Sequence, residues 1–237
     1  MSFLYNNKTS QTIQMLYTLW LALATLLILS LTTSLLLQLL DPLFAVEHHK
    51  ITNQPNGIAL ILALIGAILF SYPLLMFLTR DFLVNDFIPL LKCRLFWLAI
   101  SIIVGIMIGV GAHFLSRNFP PQTGQTSTFD IINNAGFTAQ ALLIGATILL
   151  APFFEEYLFR GLIYDSIRKR FDTLVAIFLS ATVFMAFHLI EYYDYWVGLF
   201  AILFLGVFLS ILRLRSKSIS PPILCHASYN LTILMLV

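Results

Sequence analysis

Three short sets of polar residues interrupt the apolar second half of the chain. The first lies in LLAPFFEEYLFRGLIY, where Glu155, Glu156 and Arg160 fall within six positions. The second is FMAFH, with Phe184 and His188 four apart, and the third is HASYN, with His226 and Asn230 four apart. On a helix a spacing of four puts two side chains on one face. Glu156 can therefore pair with Arg160, while Glu155 is turned about 100° away and stays free for other work. A free carboxylate and two imidazoles are groups that acid–base catalysis uses, and an amide can hydrogen-bond a developing negative charge. The blander alternatives are a structural ion pair beside a protonated glutamic acid, a helix end emerging into the headgroups, histidines bonded to backbone carbonyls, and an asparagine joining two helices.

The solvent around these residues follows from composition. Of 237 residues, 59% are hydrophobic and 10% are charged, with a mean hydropathy of +0.92. A soluble domain needs about 25% charged residues to solvate its surface, so this is a membrane protein. The net charge of +2, without a basic tail or a glycine-rich phosphate loop, excludes nucleic acid as a partner. Cys93 and Cys225 stand far apart in apolar surroundings, which excludes a disulfide framework and a cysteine-based zinc site.

A helix needs about 20 apolar residues to cross the hydrocarbon core. Seven stretches qualify, near 13–40, 57–79, 95–115, 137–167, 173–190, 195–212 and 219–237. The fold class expected is all-α, a polytopic transmembrane helical bundle of about seven spans in the cell membrane. Residues 1–237 form a single integral membrane domain, with the polar motifs in 137–237. The first stretch reads as a signal anchor that stays, and Pro152 predicts a kink, or a break with re-entry, in the fourth. The polar loop Ser116 to Gly136 is too short to fold alone, and Glu47 with His48 and His49 reads as a solvated loop. With the N-terminus cytoplasmic, Lys8, Arg80, Lys92, Arg94, Arg168, Lys169, Arg170, Arg213, Arg215 and Lys217 fall on one side, and Lys50 and Arg117 on the other. That bias sets the orientation as N-in and C-out.

Nine of the 11 acids also lie in loops or at span ends, Asp165 among them. Glu155, Glu156 and Arg160 are left inside an apolar span, where each charge costs about 2.5–3.5 kcal/mol at mid-bilayer, a cost that calls for a compensating use. Counted from the nearest charged residue at the cytoplasmic end, Glu156 is 12 residues deep, His188 16 and His226 9. At 1.5 Å per residue these depths differ by about 10 Å, so tilt or helix breaks must bring the groups level.

The ordered set Glu155-Glu156-x-x-x-Arg160, Phe184-x-x-x-His188 and His226-x-x-x-Asn230, with Pro152 before it and Gly161 inside it, resembles the three motifs of the CPBP (Abi) family of intramembrane proteases. That family contains the CAAX prenyl endopeptidases and bacterial bacteriocin-processing and self-immunity proteins. The resemblance covers about residues 137–237. Where the family often has glycine-rich packing between its second and third motifs, only Gly198 and Gly206 remain.

The resemblance implies that Glu155 and His188 activate water and that His226 and Asn230 hydrogen-bond the oxyanion. Glu156, Arg160 and Phe184 are then orienting or structural. The substrate class implied is a membrane-embedded or lipid-anchored peptide, cut in or beside the lipid bilayer. The expectation is that no metal is obligatory, with a divalent ion such as zinc on Glu155, His188 and His226, as in a metalloendopeptidase, the alternative. A second function class is a non-proteolytic bacteriocin self-immunity or membrane interaction protein. A transporter is weaker, because no repeated half is visible.

Overall fold

A computed structural model of the chain describes residues 8–44, 56–83, 92–120, 136–192 and 194–236. The segment Glu47 to His49 and most of the polar loop after Ser116 lie outside the described residues. Every regular element among the described residues is helical: α1 Lys8–Phe44, α2 Gly57–Leu83, α3 Leu95–Asn118, α4 Phe137–Arg170, α5 Thr173–Phe187, α6 Leu189–Tyr192, α7 Trp196–Ser216 and α8 Ser220–Leu236. The all-α class is borne out, and helices occupy all seven expected stretches.

Five of them, α1, α2, α3, α4 and α7, are long and apolar enough to cross a membrane. Helices fill the other two expected stretches as well, the shorter α5 with 15 residues and α8 with 17, so the arrangement is roughly the one of about seven spans that the sequence predicts. Both are shortened by local chemistry. The α5 helix stops where His188 takes φ −96 and ψ 1, outside the α-helical basin, and its N–H closes a tighter turn on Met185 O at 2.9 Å. The start of α8 is set by Pro221 and Pro222, which lack the N–H groups that a first helical turn leaves unpaired. Ahead of them Ser216 Oγ and Ser218 Oγ accept backbone N–H bonds from Ser218 and Ser220, both at 3.2 Å. The long apolar helices turn large side chains outward, Leu27, Leu31, Leu35 and Leu39 on α1 among them. The chain is a multi-pass integral membrane protein.

The residues fall into two compact units. One comprises Leu23–Phe82 and Gly124–Ala151, with an apolar core of Ile61, Ala139 and Leu143. Asn56 starts α2 there by accepting the N–H of Ile58 at 2.9 Å through Oδ1, while its own N–H bonds Asp41 Oδ1 at 2.6 Å. The other unit comprises Met1–Ala22, Leu83–Thr123 and Pro152–Val237, and it contains all three motifs.

Two close helix contacts shape the second unit. A Cβ on Gly105 would run into the backbone oxygen of Cys225, and one on Gly109 would stand 2.8 Å from Thr232 Cβ. Gly105-x-x-x-Gly109 thus lets α3 seat directly on α8, the helix that carries His226. Likewise a Cβ on Gly206 would meet Ala181 Cα at 3.2 Å, which brings α7 onto α5. Both glycines remaining between the motifs are therefore closely packed, since a Cβ on Gly198 would stand 2.5 Å from Tyr192 Cδ1.

Of the kink or break expected at Pro152, the backbone shows an irregularity of the helical ladder: the Ala151 N–H bonds Ala146 O, five residues back, in a wide turn directly ahead of the proline. A second wide turn covers Tyr157–Ile163, directly after the two glutamates.

Candidate active site

Glu156 and Arg160 are both fully buried, and Arg160 NH1 donates to Glu156 Oε1 at 2.9 Å. The pairing read from their spacing is present. The guanidinium is used further: NH2 donates to Gly206 O on α7 at 3.1 Å, and Cζ lies 4.4 Å from the Phe184 ring centroid. A buried charge is tolerable only when paired and hydrogen-bonded, and here a carboxylate, a carbonyl and an aromatic face share the task.

Phe184 is buried at the centre of this arrangement. Its ring meets those of His188 and His226 edge-on, at centroid distances of 4.9 and 5.6 Å, and that of Phe159 at 4.9 Å. It fixes the planes of both imidazoles and covers Arg160 from one side, a physical account of its structural role.

Both histidines have one ring nitrogen committed. His188 Nδ1 lies 2.9 Å from Phe184 O, and His226 Nδ1 lies 3.0 Å from Glu156 Oε1. A carbonyl and a carboxylate only accept, so Nδ1 carries the proton in each bond and Nε2 is the basic atom of the neutral ring. Those two Nε2 atoms face one target, each 3.9 Å from Glu155 Oε2. That oxygen is buried and has no hydrogen-bond partner among the described residues. Three acceptors from α4, the end of α5 and α8 thus converge, although the linear count of residues sets them at different depths.

Asn230 follows His226 by one turn on α8 and is half-buried. Glu155, His188 and His226 come together, with Glu156 bonded behind His226.

Two imidazoles and a carboxylate are also a zinc donor set, and zinc-bound histidines donate their other N–H to an oxygen as these do. Ligand atoms about 2.0–2.1 Å from a tetrahedral zinc lie about 3.4 Å from one another. Each Nε2 stands 3.9 Å from Glu155 Oε2, about half an ångström beyond that spacing, and among the described residues no group of three His, Cys, Asp or Glu side chains is placed to hold a metal ion. Two hydrogen bonds of about 2.8 Å meeting near 90° do span such a gap, so it suits a water molecule.

Several contributors escape sequence reasoning. The Glu156–His226 bond joins residues 70 apart and has no local signal. Arg213, expected in a loop, is instead buried in α7, where its NH2 pairs with Asp165 Oδ2 at 2.6 Å. The Gly105-x-x-x-Gly109 spacing, by contrast, is a readable sign of close helix packing.

Fold and site define a class: a multi-pass helical membrane protein in which one carboxylate and two imidazoles converge among apolar helices. Residues 137–232 match the family described as type II CAAX prenyl endopeptidase Rce1-like. The chain is also 27% identical over 144 residues to the UPF0177 protein YbdI of Lactococcus lactis subsp. lactis, an alignment covering 60% of this chain and 76% of that protein. No solved structure matches it. The family match spans all three motifs and bears out the resemblance they carry, and at family level it supports an intramembrane endopeptidase.

Proposed function

We propose that the protein hydrolyses a peptide bond of a membrane-embedded or lipid-anchored substrate, with Glu155 and His188 activating water and His226 with Asn230 stabilising the oxyanion. The observation that carries this is the convergence of two imidazole Nε2 atoms on one buried carboxylate oxygen, each at 3.9 Å. A water between Glu155 Oε2 and His188 Nε2 gives a proton to Glu155 as its oxygen adds to the scissile carbonyl carbon. The carbonyl π electrons move to oxygen, and the oxyanion accepts a hydrogen bond from His226 Nε2. That donation uses the doubly protonated His226 ring, whose Nδ1 N–H Glu156 Oε1 accepts. Collapse breaks the C–N bond, and the proton on Glu155 passes to the leaving amine. The water is thereby divided into an acyl OH and an amine H.

The family's description names prenylated tails, which supply the reporter. Full-length protein in lipid vesicles is incubated with a prenylated peptide and the products are weighed by mass spectrometry. Two fragments whose masses sum to the peptide plus one water are expected. An intact peptide, with wild type and Glu155→Ala alike, would leave a binding or immunity role as the better account.

A further inference from the structure

We infer that Arg213 is a positioning residue for the two glutamates, an inference that rests on the endopeptidase proposal above. In an α-helix the Tyr164 N–H would bond Arg160 O. Across the wide turn Tyr157–Ile163 it reaches back to Phe159 O instead, so the Arg160 carbonyl loses its helical donor. Arg213 reaches it from α7, with Nε 3.4 Å from Arg160 O, at the long end of a charged hydrogen bond. The far side of the same guanidinium grips Asp165 Oδ2 at 2.6 Å. One buried arginine therefore holds α4 on both sides of the residue at which the helix returns to normal pitch.

This clamp has a counterpart. The Arg160 side chain is tied to Gly206 O on the same α7, and its backbone to Arg213, seven residues or about two turns further on. Glu155 and Glu156 lead directly into the wide turn, so its phase sets the direction of both carboxylates. Glu156 must meet His226 while Glu155 faces the pair of Nε2 atoms. Loss of the Arg213 donor leaves the Arg160 carbonyl unpaired in an apolar interior and favours an ordinary α-turn, which would rotate the glutamates relative to Arg160.

The test uses full-length protein in lipid nanodiscs. Variants are Arg213→Gln, the milder Arg213→Lys, and the exchanged pair Arg213→Asp with Asp165→Arg. Amide hydrogen exchange over residues 157–164, thermal midpoint, and kcat and KM on the prenylated peptide are read for each. Arg213→Gln is expected to speed exchange in that stretch about tenfold and to lower kcat about tenfold or more, with KM within about twofold. Arg213→Lys, which can serve one oxygen at a time, should fall between. The exchanged pair should recover the thermal midpoint but not kcat, because aspartate has no N–H for the Arg160 carbonyl. Wild-type exchange and kcat in Arg213→Gln, or recovery of kcat together with stability in the exchanged pair, would overturn the inference. If wild type leaves the peptide uncut, the endopeptidase proposal is what fails, and the exchange data still decide whether Arg213 holds the turn.

Discussion

Glu156 Oε1 lies 3.0 Å from His226 Nδ1, so the second glutamate of the motif orients the imidazole contributed by the last helix. The same oxygen takes Arg160 NH1 at 2.9 Å. One buried carboxylate oxygen thus links the Arg160 cation to the His226 ring, and on the proposed mechanism Glu156 positions that ring as well as forming half of an ion pair.

Two substitutions test those roles. Glu156→Gln keeps the shape but removes the charge shared by His226 and the buried Arg160, so kcat of the folded fraction should drop about 10–100-fold, the usual cost of losing a partner behind a functional histidine, and the thermal midpoint should fall as well. Arg160→Ala strands the buried Glu156 charge and should destabilise the protein by about 3–5 kcal/mol, read as a lowered thermal midpoint in detergent. A Glu156→Gln enzyme with wild-type kcat would show that His226 needs no orienting carboxylate.

The Gly105 contact predicts an effect at a distance. Gly105→Ala drives a methyl into the Cys225 carbonyl, whereas a Cβ on Gly111 of the same helix meets nothing within 4 Å. Overpacking of this kind costs about 1–3 kcal/mol. The displaced α8 should also lower kcat, because it carries His226. Gly111→Ala is the control and should match wild type in both. Equal behaviour of the two variants would mean that α3 does not set the position of α8.

How much of this was legible in the sequence depends on whether the signal is local. Glu156 with Arg160 and the glutamate left free beside it follow from a four-residue spacing on one helix, and the charges stand out because the chain has so few. The spans follow from runs of apolar residues, though α5 and α8 are shorter than hydropathy suggests because a helix end at His188 and a proline pair at 221 and 222 override it. The wide turns of α4 were not legible, since Pro152 reports only that the ladder is interrupted and not how the chain accommodates it. Nor were the Arg213–Asp165 and Glu156–His226 pairs, whose partners meet through tertiary packing alone.

Chelation gives a fourth prediction. On the proposed mechanism, in which water and not a metal lies between Glu155 and the imidazoles, purified protein dialysed against a strong chelator should retain its kcat on the prenylated peptide. Loss of activity that returns on adding zinc alone would show that the three groups contract onto a metal during turnover.

Glu155 stands at the centre of the proposal, and kcat of Glu155→Gln on the prenylated peptide tests it most directly. Glutamine nearly preserves volume and polarity but cannot take a proton from water, so kcat should fall by at least about a hundredfold with KM and thermal midpoint close to wild type. Cleavage at the wild-type rate by a folded Glu155→Gln protein would contradict it.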